Sequence, residues 1–270
     1  LQAPRAAPGQ VHFNEKLVPP TEHSEQQGDR VWLRRYSKLV CFATLFLVFM
    51  GSLVTSHEAG LSVPDWPRSF GHNLFTYPPS EWMGPQAWGM GAEGRFWEHS
   101  HRLVGALVGL LTVVLAFWLA FRDNRLWVSL LGFGAVILVI GQGVLGGLTV
   151  LLGLPTWVSV LHAVMAQTFL VLTIILAYTQ SEEFRLRRVP SEEPQGRLAT
   201  RWASITFCLV YVQLVMAAIM RHTQSGLAIP DFPTMAGRWL PVLNEEALAW
   251  VNGWRETYGQ ETGTALPPVT

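Results

Sequence analysis

Phe96-Trp97-Glu98-His99-Ser100-His101-Arg102 runs without a break into the apolar segment Leu103–Phe121, and this junction decides how the chain is read. A carboxylate, imidazoles and a guanidinium at the mouth of a membrane-spanning helix are costly, so their default reading is a functional site. If the helix begins one turn early, Glu98 and His101 stand at i and i+3 and share a face. Gly105 and Gly109 continue that face at i+4 and i+8 from His101, leaving a groove without side chains. His99 and His101 stand at i and i+2 and point to different faces, so only one can look into a bundle. His101 is the choice, because it shares the glycine face.

Working outward, half of the 270 residues are apolar and only 14% are charged, which is too apolar for an ordinary soluble domain. The formal net charge is zero, and the charges lie mostly between apolar blocks, so nothing points to nucleic acid. Five segments are long enough to cross a bilayer: Lys38–Thr55, Leu103–Phe121, Leu126–Leu148, Trp157–Thr179 and Trp202–Met220. The fold class that follows is all-α, an integral membrane helical bundle.

Basic residues set the orientation. Arg30, Arg34, Arg35 and Lys38 precede the first helix, Arg122 and Arg125 separate the second from the third, and Arg185, Arg187, Arg188, Arg197 and Arg201 lie between the fourth and fifth. The N-terminus is therefore expected on the cytoplasmic or matrix side. Residues 1–29, rich in Pro, Gln, Glu and Gly, read as a disordered tail. The first residue is Leu, which suggests that the native start is missing. Cys41 and Cys208 both lie in apolar segments and read as packing residues.

With this topology His101 stands at the outer end of the second helix. His162, in Ser159-Val160-Leu161-His162-Ala163-Val164-Met165-Ala166-Gln167, stands at a similar depth on the fourth. Two imidazoles on separate helices at matched depth suit a haem iron held from both faces. Gly105, Ala163 and Ala166 would keep the gap open. Taken singly, each histidine reads equally well as a hydrogen-bonded core residue. Glu98 alone could do no more than complement the helix dipole in a first turn. Beside a haem edge it could take or relay a proton. Arg102 could snorkel outward to a haem propionate or to a lipid phosphate.

An internal repeat gives the domain plan. Gly60-Leu61-Ser62-Val63-Pro64-Asp65-Trp66-Pro67 recurs as Gly226-Leu227-Ala228-Ile229-Pro230-Asp231-Phe232-Pro233 at an offset of 166 residues, and Gly71 matches Gly237. The unit is a four-helix bundle with a loop whose Asp and aromatic serve either a fixed turn or a ligand contact. The expected units are a tail over 1–29, a first haem-binding bundle over 30–180, a cytoplasmic linker over 181–201, and a fifth helix with its outer loop over 202–270, the start of a second bundle.

These motifs, together with Gly51-Ser-Leu-Val-Thr, Gln142-x-x-Leu-Gly-Gly-Leu-Thr149-Val150, Leu161-His162-Ala and Arg221-His-Thr-Gln-Ser-Gly, resemble haem A synthase from about Lys38 to Leu243. The resemblance implies eight membrane helices in two pseudo-symmetric bundles, each with a histidine pair. It implies oxidation of the C8 methyl of haem O to the formyl of haem A by successive hydroxylations, for terminal oxidase assembly. It makes His101 and His162 the axial pair for the substrate haem and Glu98 the catalytic carboxylate, and it places a haem b cofactor in the second bundle. Implied partners are haem O synthase, the oxidase under assembly, membrane lipid, and the C-terminal half of the enzyme or another chain. The implied location is a bacterial plasma membrane or a mitochondrial inner membrane.

The chain departs from the pattern in two respects. The second histidine pair belongs to helices beyond Thr270, and His222, which aligns with Ser56 outside the helix, is a poor substitute. Some relatives also carry a cysteine pair in the first outer loop, and the segment 71–95 has none. Two other readings remain: a b-type electron-transfer module, which would be indifferent to Glu98, and a non-catalytic haem-binding assembly factor.

Overall fold

The computed structural model describes residues 20–186, 194–223, 225–227, 229, 231–240 and 244–258. The long elements are α1 (Pro20–Ser56), α3 (Arg95–Arg122), α4 (Leu126–Leu151), α5 (Thr156–Thr179) and α7 (Pro194–His222). Shorter helices are α2 (Pro79–Trp82), α6 (Glu182–Leu186) and α8 (Glu245–Thr257), and there is no strand among the described residues. The architecture is all-α. Each long helix contains a stretch long and apolar enough to cross a membrane: Arg30–Ser56, Arg95–Arg122, Leu126–Leu151, Thr156–Thr179 and Gly196–His222.

Helices α1, α3, α4 and α5 close a square, packing α1 on α3, α3 on α4, α4 on α5 and α5 back on α1, while α7 lies against the outside of α5. The apolar core of the square is one-sided. Leu33 and Val40 meet Val108, Leu115, Leu119, Val128, Ala135, Phe169 and Leu176. These residues lie at the start of α1 and α4 and towards the end of α3 and α5. They fill mainly the half of the bundle remote from His101 and His162.

A buried polar knot ties the filled end. The Asp123 carboxylate accepts from Arg125 Nε at 2.9 Å and from its terminal nitrogen at 2.6 Å. It also accepts from Gln180 at 2.9 Å, and Arg125 continues to the Thr179 carbonyl at 2.9 Å. Burial alone would raise the Asp123 carboxyl, but the hydrogen bonds from Arg125 and Gln180 outweigh it and hold the group at about 2. Arg34 pairs with Glu182 beside the knot, joining α1 to α6.

Three boundaries differ from the sequence reading. Residues 1–19 of the expected tail lie outside the described residues, and the backbone is helical from Pro20. Proline suits a first helical turn, where its missing N–H costs nothing. The expected linker is helical over Glu182–Leu186 and again from Pro194, and 187–193 lie outside the described residues. Helix α7 runs to His222, so that histidine ends a helix where a position beyond it was expected.

The loop repeat is also a geometric repeat. The Asp65 carboxylate accepts from the backbone N–H of Phe70 at 2.7 Å and of Gly71 at 2.8 Å, and Asp231 does the same with Ala236 at 2.8 Å and Gly237 at 3.0 Å. Phe70 and Ala236 have φ of 49° and 53°, and Gly71 and Gly237 have 77° and 75°. Both aspartates therefore serve the turn, and the ligand-contact alternative is not needed for them.

Candidate functional site at the histidine end of the bundle

Helix α3 begins at Arg95, about two turns before the apolar run, which puts Glu98 and His101 on one helical face. Its start is fixed by Gly94. A Cβ there would stand 2.4 Å from the Ala59 Cβ and 3.1 Å from Ser62 Oγ, so only glycine lets the loop after α1 cross the beginning of α3.

The two histidines of the opening stretch part as their spacing requires. His99, on α3, is buried against the outer loop, its Nδ1 3.1 Å from Ser69 Oγ and its ring against Tyr77 and Trp82 at 5.1 and 4.7 Å. His101 turns into the bundle. Its Cε1 lies 3.1 Å from where a Cβ on Gly51 of α1 would be, and the His162 ring has the same relation to Gly146 of α4 at 3.3 Å. Each imidazole is thus seated against a glycine of a neighbouring helix.

The polar inventory of this end is incomplete within the protein. His101 Nδ1, His162 Nδ1, Gln142 Oε1 and Ser159 Oγ are all buried without a hydrogen-bond partner. Gln142 donates its amide to the His162 carbonyl at 3.0 Å, and Ser159 is one turn before His162 on α5. Buried polar atoms are normally paired, and each one left unpaired costs on the order of 1–3 kcal/mol. Four around two imidazoles describe a site that a ligand would complete. Next to it, a Cβ on Gly109 would meet nothing within 4 Å, and one on Gly105 only Leu47 Cδ1 at 3.8 Å. The open glycine face and the free imidazole nitrogens fit a flat macrocycle carrying a metal that takes axial nitrogen.

Arg102 does not turn outward. One terminal nitrogen donates to the carbonyls of Asp65 at 2.7 Å and Arg68 at 3.1 Å. The other donates to Val63 O at 2.7 Å and to Glu98 Oε1 at 2.5 Å. Glu98 Oε2 accepts from the Val63 N–H at 2.7 Å. The side chains of this pair are 11% and 4% exposed. Arg102 thus clips the outer loop, whose carbonyls face inward where the guanidinium emerges. The loop in turn sets the Trp66 indole on α4. A Cβ on Gly147 would lie 2.4–2.7 Å from its ring atoms.

Five membrane-length helices, four of them packed as a bundle with a histidine pair at one end, make the chain an integral membrane protein. The family model of the cytochrome oxidase assembly proteins matches residues 34–258. Among curated proteins the chain is similar to the Heme A synthase of Alkalihalophilus pseudofirmus, 28% identical over 214 residues, covering 78% of this chain and 67% of the relative. It is 27% identical to that of Halalkalibacterium halodurans over 218 residues, again 78% and 67%, and 31% identical to that of Exiguobacterium sibiricum over 223 residues, 80% and 66%. It thus spans about two thirds of the length of these relatives. No solved structure gives a significant match. The chain belongs to the cytochrome oxidase assembly protein family that includes the heme A synthases.

Proposed function

We propose that the chain is the haem-binding part of a haem A synthase, an oxidoreductase that converts the C8 methyl of haem O into the formyl of haem A by successive hydroxylations. The observation that carries the reading is the set of unpartnered nitrogens on His101 and His162, at one end of a bundle whose Gly105–Gly109 face is open. In this reading the two imidazoles hold the iron of the substrate haem from either side, and the glycine face receives the macrocycle. Gly51 and Gly146 fix the ring positions from behind.

Glu98 is proposed as the carboxylate that accepts or relays a proton when the methyl C–H is oxidised. It stands one turn from His101, and its oxygens keep lone-pair capacity beyond the bonds from Arg102 and Val63. A haem b cofactor in a second bundle would supply the route for electrons. The C-terminal half of the enzyme, or another chain, is therefore a proposed partner, together with haem O synthase and the oxidase under assembly. The proposed setting is a bacterial plasma membrane with the N-terminus in the cytoplasm, as the basic residues before α1 favour.

The engagement of both Glu98 oxygens by protein donors favours one alternative, a b-type electron-transfer module in which Glu98 only holds the loop. Glu98→Gln separates the two. In membranes supplied with haem O and the complementary helices of a relative, the variant should keep its bound haem and lose haem A formation. Normal haem A in extracted pigment would overturn the catalytic assignment and support the electron-transfer module.

A further inference from the structure

The turn at Asp65 and the clip at Arg102 leave one side chain of the loop with an unexplained place. Trp66 is 37% exposed, yet its indole is held against the membrane helix α4. Its indole lies on Gly147 so closely that no other residue type could stand there without moving it. The neighbouring Gly146 is the seat of the His162 ring, so the positions on α4 that receive the indole and the imidazole are consecutive, and that imidazole has an unpartnered Nδ1. Nothing in the turn itself requires an aromatic. The Asp65 bonds are made to backbone N–H groups, and Arg102 binds backbone carbonyls on both sides of Trp66, at Asp65 and Arg68. Three hydrogen bonds from one buried guanidinium, to the carbonyls of Val63, Asp65 and Arg68, thus fix the stretch 63–68 and, with it, the position of the indole.

We infer that Trp66 is a substrate-contacting wall at the histidine end of the bundle, and that Arg102 is the positioning residue holding it there. The inference rests on the haem reading above. A flat aromatic ligand between the imidazoles would meet the indole at its edge, a contact that adds to retention without touching the iron. Arg102 acts only through the loop, so its loss should change how long the ligand stays and leave axial ligation alone.

The test uses the purified full chain loaded with haemin, with release followed by transfer to a haem-scavenging globin. Trp66→Ala and Gly147→Ala should each release haemin about tenfold faster, on the scale of one lost aromatic contact, with the low-spin spectrum unaltered. Arg102→Gln should do the same, and Trp66→Phe should restore slow release. Because Gly147→Ala could instead disturb helix packing, Trp66→Ala carries the decision. Release from Trp66→Ala at the rate of the unaltered chain, with a normal spectrum, would overturn the wall and leave the haem reading standing. Failure of the unaltered chain to take up haemin at all would overturn both.

Discussion

Gly109→Ala asks whether the open face of α3 is a ligand surface. Nothing lies within 4 Å of where the new methyl would stand, so the chain without ligand accepts it. Its stability should rise, by up to about 1 kcal/mol, since alanine is the better helix former. A macrocycle lying along Gly105 and Gly109 would meet the same methyl. Methyl groups forced into filled space cost about 1–3 kcal/mol, which corresponds to haem binding weakened by roughly 5- to 150-fold. Gly134 on α4 is equally open but stands beside Ala135 of the apolar core, so Gly134→Ala should gain the helix term and leave affinity unchanged. The assay pairs thermal unfolding without haem with a haemin titration read at the Soret band. Undiminished affinity in Gly109→Ala would refute the placement of the macrocycle on this face.

The Asp123 knot predicts an acid transition. Its carboxyl is held below the ordinary 3.8, at about 2, so the stabilisation is complete above about pH 4 and is lost as pH falls through about 2. The shift corresponds to about 2 kcal/mol. Thermal unfolding in detergent between pH 2 and 6 should show the loss, and Asp123→Asn should flatten it; an equal slope in the variant would assign the transition elsewhere. His99→Ala should destabilise the outer loop, by about 0.5–3 kcal/mol, because it removes the buried partner of Ser69, Tyr77 and Trp82. Its haem spectrum should match the unaltered chain, and loss of the low-spin bands would make His99 the ligand in place of His101.

Much of this was legible in the sequence for reasons of period and length. Apolar runs mark the five long helices, and the i, i+2 spacing of His99 and His101 puts them on different faces of α3, one against the outer loop and one into the bundle. The 166-residue repeat anticipated two loops with the same turn. What escaped was every feature set by distant residues. Gly51, Gly146 and Gly147 look like ordinary helix glycines until His101, His162 and Trp66 are brought against them. Arg102 reads as a snorkelling cation because its acceptors at 63–68 are more than thirty residues earlier. The early start of α1 was hidden because 20–29 lacks apolar periodicity, although the backbone there is helical.

The central claim is that His101 and His162 bind one iron between them, and absorption and electron paramagnetic resonance spectra of the haemin-loaded chain test it most directly. The unaltered chain should show a low-spin bis-imidazole signature at no more than one haem per chain. His101→Ala and His162→Ala should each abolish it. A low-spin spectrum retained in both variants would contradict the account.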